Sequence, residues 1–152
     1  MPMTDAAALA RALKGSGRTI AVAESLTCGA LASTIGAAED ASEWFRGGVV
    51  AYTDDVKFDV LGVSPGPVVT ARCAEEMAAG VRSLLRADLA ISATGVGGPG
   101  PTEGRPAGTV FLGVAIGERV WSVEEHFPGD PEQVLEATIR RAIELAIGSL
   151  TG

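Results

Sequence analysis

Short apolar runs of strand length alternate along this chain with stretches whose apolar residues recur at helical spacing. Strands that alternate with helices imply parallel pairing, because a parallel connection needs a long crossover and the crossover helices then cover the sheet faces. The strand-like runs are residues 19–23, 48–52 and 88–93. Helical stretches run from Asp5, as cap, through Leu9 and Leu13 to Gly15, then from about 28 to 38, and from Thr53 to near Gly62. Thr70 caps another, with Cys73, Met77, Val81, Leu84 and Leu85 as its apolar stripe. Residues 109–116 and 119–127 read as a hairpin turning at Gly117-Glu118. Pro131 then opens a final helix carrying Val134, Leu135, Ile139, Ala142, Ile143, Ala146 and Ile147. The expected fold is α/β: a single domain over residues 1–152, a three-layer sandwich with a mixed, largely parallel sheet flanked by helices.

A chain of 152 residues with 47% hydrophobic and 20% charged residues can bury one sizeable core. Twelve Lys and Arg against nineteen Asp and Glu leave a net charge of −7, which is not the footprint of a nucleic-acid binder. Two cysteines and one histidine make neither a disulfide framework nor a zinc site, so no metal is expected. The first five residues lack a basic segment followed by an apolar one, and no apolar run reaches bilayer-spanning length. The expectation is a cytoplasmic protein without membrane contact.

Three loops at the carboxyl ends of strand-like runs are where an open α/β sheet binds ligands. The first, residues 23–29, places Ser25 and Thr27 between a strand and a helix N-terminus, where free N–H groups suit an anion or a developing oxyanion. The simpler reading is that Ser25 or Thr27 caps the helix. In the second loop, Lys57 lies one turn inside the helix starting at Thr53. It is either an exposed lysine paired with Thr53 or Asp54, or, if desolvated, a base. Tyr52, the only tyrosine, either packs in the core or lends its hydroxyl to a proton relay. The third loop, 94–109, contains Gly95, Gly97 and Gly100 at dinucleotide-fingerprint spacing, but Pro99, Pro101 and Pro106 prevent the helix that fingerprint requires. It remains a glycine-rich loop whose backbone can approach a ligand closely. His126, the only histidine, reads as a strand-end residue, and Trp44 and Trp121 as packing residues.

Taken together, Ala-Glu-Ser-x-Thr-x-Gly at 23–29, the segment from Tyr52 to Lys57, Thr94-Gly95-Val96-Gly97-Gly98-Pro99, Pro106-Ala107-Gly108-Thr109-Val110 and Phe127-Pro128-Gly129-Asp130 resemble the C-terminal domain of the competence/damage-inducible protein CinA. Stand-alone members resemble a nicotinamide-nucleotide amidase that converts nicotinamide mononucleotide to nicotinate mononucleotide and ammonia. The resemblance implies a serine amidohydrolase that needs no cofactor. Ser25 matches the nucleophile, Lys57 its base, and Tyr52 a relay or orienting group. Thr27, Cys28 and Gly29 would shape the oxyanion site and pocket. Thr94, Gly95, Gly97, Gly98, Arg105 and Thr109 would contact or enclose a small nucleotide substrate. With the apolar final helix, the resemblance also allows a homodimer. The sequence departs from the family at three places. Leu26 and Cys28 stand where the family has cysteine and glycine, so a side chain at 28 either narrows the pocket or sits there without loss at φ < 0. Pro131 stands where an arginine is common, removing a phosphate contact that Arg105 would have to replace. A catalytically impaired nucleotide-binding module of the same fold is the alternative these departures support.

Overall fold

The computed structural model describes residues 2–151; Met1, the first residue of the segment read as carrying no leader, and Gly152 lie outside the described residues. The chain order is α1 (Pro2–Ser16), β1 (Ile20–Glu24), α2 (Ala30–Gly36), α3 (Ala41–Trp44), β2 (Phe45–Val50), α4 (Asp54–Leu61), α5 (Ala71–Leu85), β3 (Leu89–Gly95), β4 (Thr109–Ile116), β5 (Arg119–His126) and α6 (Pro131–Thr151). The five strands form one sheet in the order β2-β1-β3-β4-β5. β1 pairs in parallel with both β2 and β3, while β3–β4 and β4–β5 are antiparallel. The α/β class and the mixed sheet between helices are as the alternation implied.

The two faces of the sheet use different side chains. Ile20, Val22, Ile91, Leu112 and Val114 face α1, α2 and α6, and the long side chains Leu9, Leu13, Leu31, Ile35 and Ile143 meet them. Ala21, Ala23, Ala90 and Ala115 face α5, whose Ala74 and Ala78 complete a layer of small residues. Small residues let the helix lie close: a Cβ on Gly113 would stand 2.2 Å from the Ala74 carbonyl oxygen. Each face is a period-2 half of strands buried on both sides, the pattern of a covered sheet.

Several boundaries move. α1 begins at Pro2, so Asp5 sits in its first turn instead of capping it, where its charge still suits the helix dipole. The helix expected over 28–38 is only Ala30–Gly36, and a further short helix, α3, follows it. β2 spans Phe45–Val50, so Ala51 and Tyr52 fall outside it. Thr70 caps α5 as expected, its hydroxyl oxygen accepting from the Cys73 N–H at 3.1 Å. The hairpin turns at Gly117-Glu118, and Asp130 and Gln133 close a reciprocal capping box on α6, both bonds at 2.9 Å.

From β1 the chain moves to β2 on one side, and it later places β3 on the other. The crevice between the ends of β1 and β3 is therefore where the loops part in opposite directions, the switch point at which such sheets bind ligands.

Candidate active site

Ser25 follows directly on β1 and is fastened on both sides. Its N–H donates to the Ala93 carbonyl at 3.0 Å, and the Glu24 carbonyl accepts from the Ala51 N–H at 2.8 Å. Ser25 thus hangs at the mouth of the crevice between β1 and β3, only 8% exposed.

Neither Ser25 nor Thr27 caps the helix. Gly29 is the N-cap of α2 and makes no side-chain cap bond. The first-turn N–H groups of Leu31 and Ala32 donate instead to the two carboxylate oxygens of Glu24, each at 2.9 Å. A carboxylate offers two acceptors and a negative charge to the positive end of the helix, which a hydroxyl does not. The Ser25 hydroxyl is thereby left without a hydrogen-bond partner among the described residues. The sequence reading missed Glu24; a glutamate closing an apolar strand just before a helix was the available signal.

Lys57 is not an exposed lysine. It lies in α4 with 1% exposure, its ammonium donating to the Tyr52 carbonyl at 3.3 Å. Burial pushes its pKa below the usual lysine value; the charge of Asp54 opposes that shift, and Cys73 and Glu103 oppose it more weakly. The two neighbouring aspartates behave differently. Asp55 is held below the usual carboxylate range by the Thr53 hydroxyl, at the helix start. Asp54 reaches within 3.9 Å of the ammonium, because residues three apart share a helix face. Its carboxylate remains 59% exposed, so water screens much of its pull.

Ser25 and Lys57 line the same cavity, of about 730 Å³. No direct hydrogen bond joins their side chains among the described residues. Tyr52 stands at the rim with 65% exposure, which overturns core packing: with the strand ended at Val50, no sheet neighbour covers it.

Gly95, Gly97, Gly98 and Thr94 also line the cavity. Thr94 donates its hydroxyl to the Val68 carbonyl at 2.9 Å, so it fastens a wall of the site. Gly95 has no room for a side chain, since a Cβ there would lie 2.5 Å from the Thr109 carbonyl oxygen. The loop beyond is more ordered than its composition suggested. Thr102 and Arg105 pair through two backbone bonds, and the intervening Glu103 accepts from the N–H groups of Val68 and Val69.

Five expected residues stand outside the cavity lining. Thr27 and Thr109 are buried, each with a hydroxyl lacking a partner. Cys28, at φ 47°, and Gly29, at φ 96°, form a left-handed turn into α2. The exposed Cys28 therefore does not narrow the pocket. Arg105 does not replace the missing arginine: its guanidinium lies over the Phe111 ring at 5.1 Å and within 3.8 Å of Glu124. Val68 and Val69 enter the lining from a segment the sequence reading left out, and Pro131, Glu132 and Leu135 from the start of α6, where only position 131 had been connected with the site. Among the described residues, no group of three or more His, Cys, Asp or Glu could hold a metal ion, and no helix is long and apolar enough to cross a membrane.

Residues 3–150 match the family model of the CinA C-terminal domain. The chain is 40% identical over 139 residues to a CinA-like protein of Frankia casuarinae, covering 88% of this chain and 32% of that protein. It is 47% identical over 112 residues to a putative competence-damage inducible protein of a Geobacillus species, covering 70% and 27%. The chain thus spans about a third of the length of the curated relatives it matches. Crystal structures of CinA superfamily proteins superpose closely. For one from Klebsiella pneumoniae the TM-score is 0.96 at 32% identity, covering 99% of this chain and 98% of the other. For one from Escherichia coli it is 0.93 at 35%, covering 100% and 91%.

Proposed function

The chain belongs to the CinA C-terminal domain family, and from that premise and the chemistry of its cavity we propose that it is a serine amidohydrolase converting nicotinamide mononucleotide to nicotinate mononucleotide and ammonia. The observation that carries this reading is Lys57: a lysine with 1% exposure and a pKa lowered by burial, lining one cavity with a serine whose hydroxyl has no hydrogen-bond partner among the described residues.

A neutral Lys57 amine accepts the Ser25 proton, directly on substrate closure or through one water, and the serine oxygen attacks the carboxamide carbon. Leu26 lines the cavity next to Ser25, and its backbone N–H would serve as the oxyanion donor. Collapse breaks the C–N bond, and the lysine ammonium returns its proton to the departing nitrogen, which leaves as ammonia. Water, deprotonated by the same amine, then hydrolyses the ester and frees the serine and the carboxylate product. Tyr52, at the rim, orients the substrate. The cavity volume is in the range that holds a ligand of nucleotide size.

Ammonia release from nicotinamide mononucleotide is the test. Wild type should release it, and folded Ser25→Ala and Lys57→Met should not. Equal release by wild type and Ser25→Ala would remove the nucleophile. The second reading, a nucleotide-binding module without turnover, rests on the absent Ser25–Lys57 hydrogen bond and on the Asp54 carboxylate that favours the charged lysine. Nucleotide binding by the wild type without ammonia release would select it.

A further inference from the structure

The glycine loop that walls the cavity is held only at its ends. Gly97, Gly98, Gly100 and Thr102 line the cavity, yet among the described residues none from 97 to 101 makes a backbone hydrogen bond to another segment. At the near end Val96 pairs with Thr109 and Gly108, both bonds at 2.8 Å. At the far end Thr102 and Arg105 close a tight turn on themselves, through backbone bonds of 3.0 and 2.9 Å. The residues between them, Glu103 and Gly104, both have positive φ, 54° and 74°. Such a turn favours asparagine, aspartate or glycine at its first central position, so glutamate there is strained. The residue that breaks the local rule is the one that ties the turn to the rest of the molecule. The Glu103 carboxylate accepts from the Val69 N–H at 2.8 Å and from the Val68 N–H at 3.0 and 3.1 Å. Val68 and Val69 are buried and line the same cavity, and the Val68 carbonyl accepts from the Thr94 hydroxyl at 2.9 Å. A backbone outlier kept at a local cost implies a role beyond the turn itself.

We propose that Glu103 is a positioning residue: its carboxylate latches the far end of the glycine loop to the 68–69 segment and so holds two walls of the cavity in the arrangement that receives the substrate. Its kinetic consequence rests on the amidase reading above. Asparagine or aspartate would suit the turn better, but each is one methylene short of the Val68 and Val69 N–H groups. Ser25 and Lys57 are fastened by other bonds, to Ala93 and to the Tyr52 carbonyl. The latch therefore governs how often the cavity is formed and leaves the chemistry within it alone. An unlatched loop that stands in place a tenth of the time lowers the apparent affinity about tenfold.

The test sets reach against turn preference. Glu103→Asn and Glu103→Gln remove the same charge, but only glutamine keeps the reach and only asparagine favours the turn. Three readouts apply: kcat and KM for ammonia release from nicotinamide mononucleotide, its Kd by calorimetry in the Ser25→Ala background, and hydrogen exchange at the Val68 and Val69 amides. Glu103→Asn should raise KM and Kd about tenfold with kcat little changed, and should speed exchange at both amides. Glu103→Gln, whose amide oxygen still accepts, should recover most of that loss. A Glu103→Asn protein with wild-type KM and Kd would overturn the proposal, because Glu103 would then serve the turn alone. So would a fall in kcat at unchanged KM, or a Glu103→Gln protein no better than Glu103→Asn. If the wild type releases no ammonia the amidase reading falls, and the Kd ratio and the exchange rates still decide the latch.

Discussion

Glu24 and Lys57 are buried equally, each 1% exposed, and stand at the same end of the sheet, yet their surroundings treat them in opposite ways. Glu24 accepts two first-turn N–H bonds at 2.9 Å. Lys57 has a single carbonyl at 3.3 Å and an exposed aspartate at 3.9 Å. A buried charge with full hydrogen bonding is structural: it closes the joint between β1 and α2 and aims the turn that carries Ser25. A buried amine with few partners is held at a free-energy cost, and its neutral form is favoured. The pair shows how two equally buried side chains differ: one has its oxygens paired to a helix end, the other is left with few partners beside a cavity.

The largest expected effect separates the two by activity. Lys57→Met and Lys57→Arg should each lower kcat by about 10²–10⁴, the range for a lost general base, since a guanidinium does not give up its proton near neutrality. Steady-state ammonia release checks this; an active Lys57→Arg enzyme would remove the base assignment.

Stability should separate them in the other direction. Glu24→Ala leaves two buried N–H groups without their carboxylate and should destabilise by about 2–4 kcal/mol, read from the urea midpoint. Lys57→Met should leave the midpoint unchanged or raise it, because it removes a poorly solvated charge.

A smaller effect concerns how that gain varies with pH. The folded pKa of Lys57 lies below its unfolded value of 10.5, so the folded protein binds fewer protons between the two values, and wild-type stability contributed by this group rises with pH in that window. The advantage of Lys57→Met should therefore be greatest below the folded pKa and shrink as pH approaches 10.5. Thermal unfolding of both proteins across this range would show a constant difference if Lys57 were solvated.

The smallest effect tests the 3.9 Å neighbour. Asp54 holds the proton on Lys57, so Asp54→Asn should lower the lysine pKa further and move the acid limb of kcat/KM to lower pH. A shift to higher pH would show that Asp54 acts otherwise.

The element pattern was legible in sequence, and so were the candidates that the fold gathers at one cavity. Thr70 and Pro131 mark helix starts by local chemistry, and the hairpin at Gly117-Glu118 needs only its turn and its alternation. Ser25 and Lys57 were visible as residues able to do chemistry. What they touch was not. The cap of α2 belongs to Glu24, seven and eight residues from the N–H groups it binds, whereas a capping rule looks two or three residues ahead. Arg105 looked able to face the site, but its guanidinium lies over the Phe111 ring of β4 instead.

Local spacing and propensity, which act within a turn or a strand, thus determined the alternation, the starts of α5 and α6 and the candidate residue types of this protein. Tertiary structure alone decided that Lys57 is desolvated beside the crevice, that Glu24 absorbs the helix end, and that Asp54 and Glu132 stand open around the cavity. Burial and field are sums over segments far apart in sequence, brought together by the packing of α4 and α5 on one face of the sheet and α6 on the other.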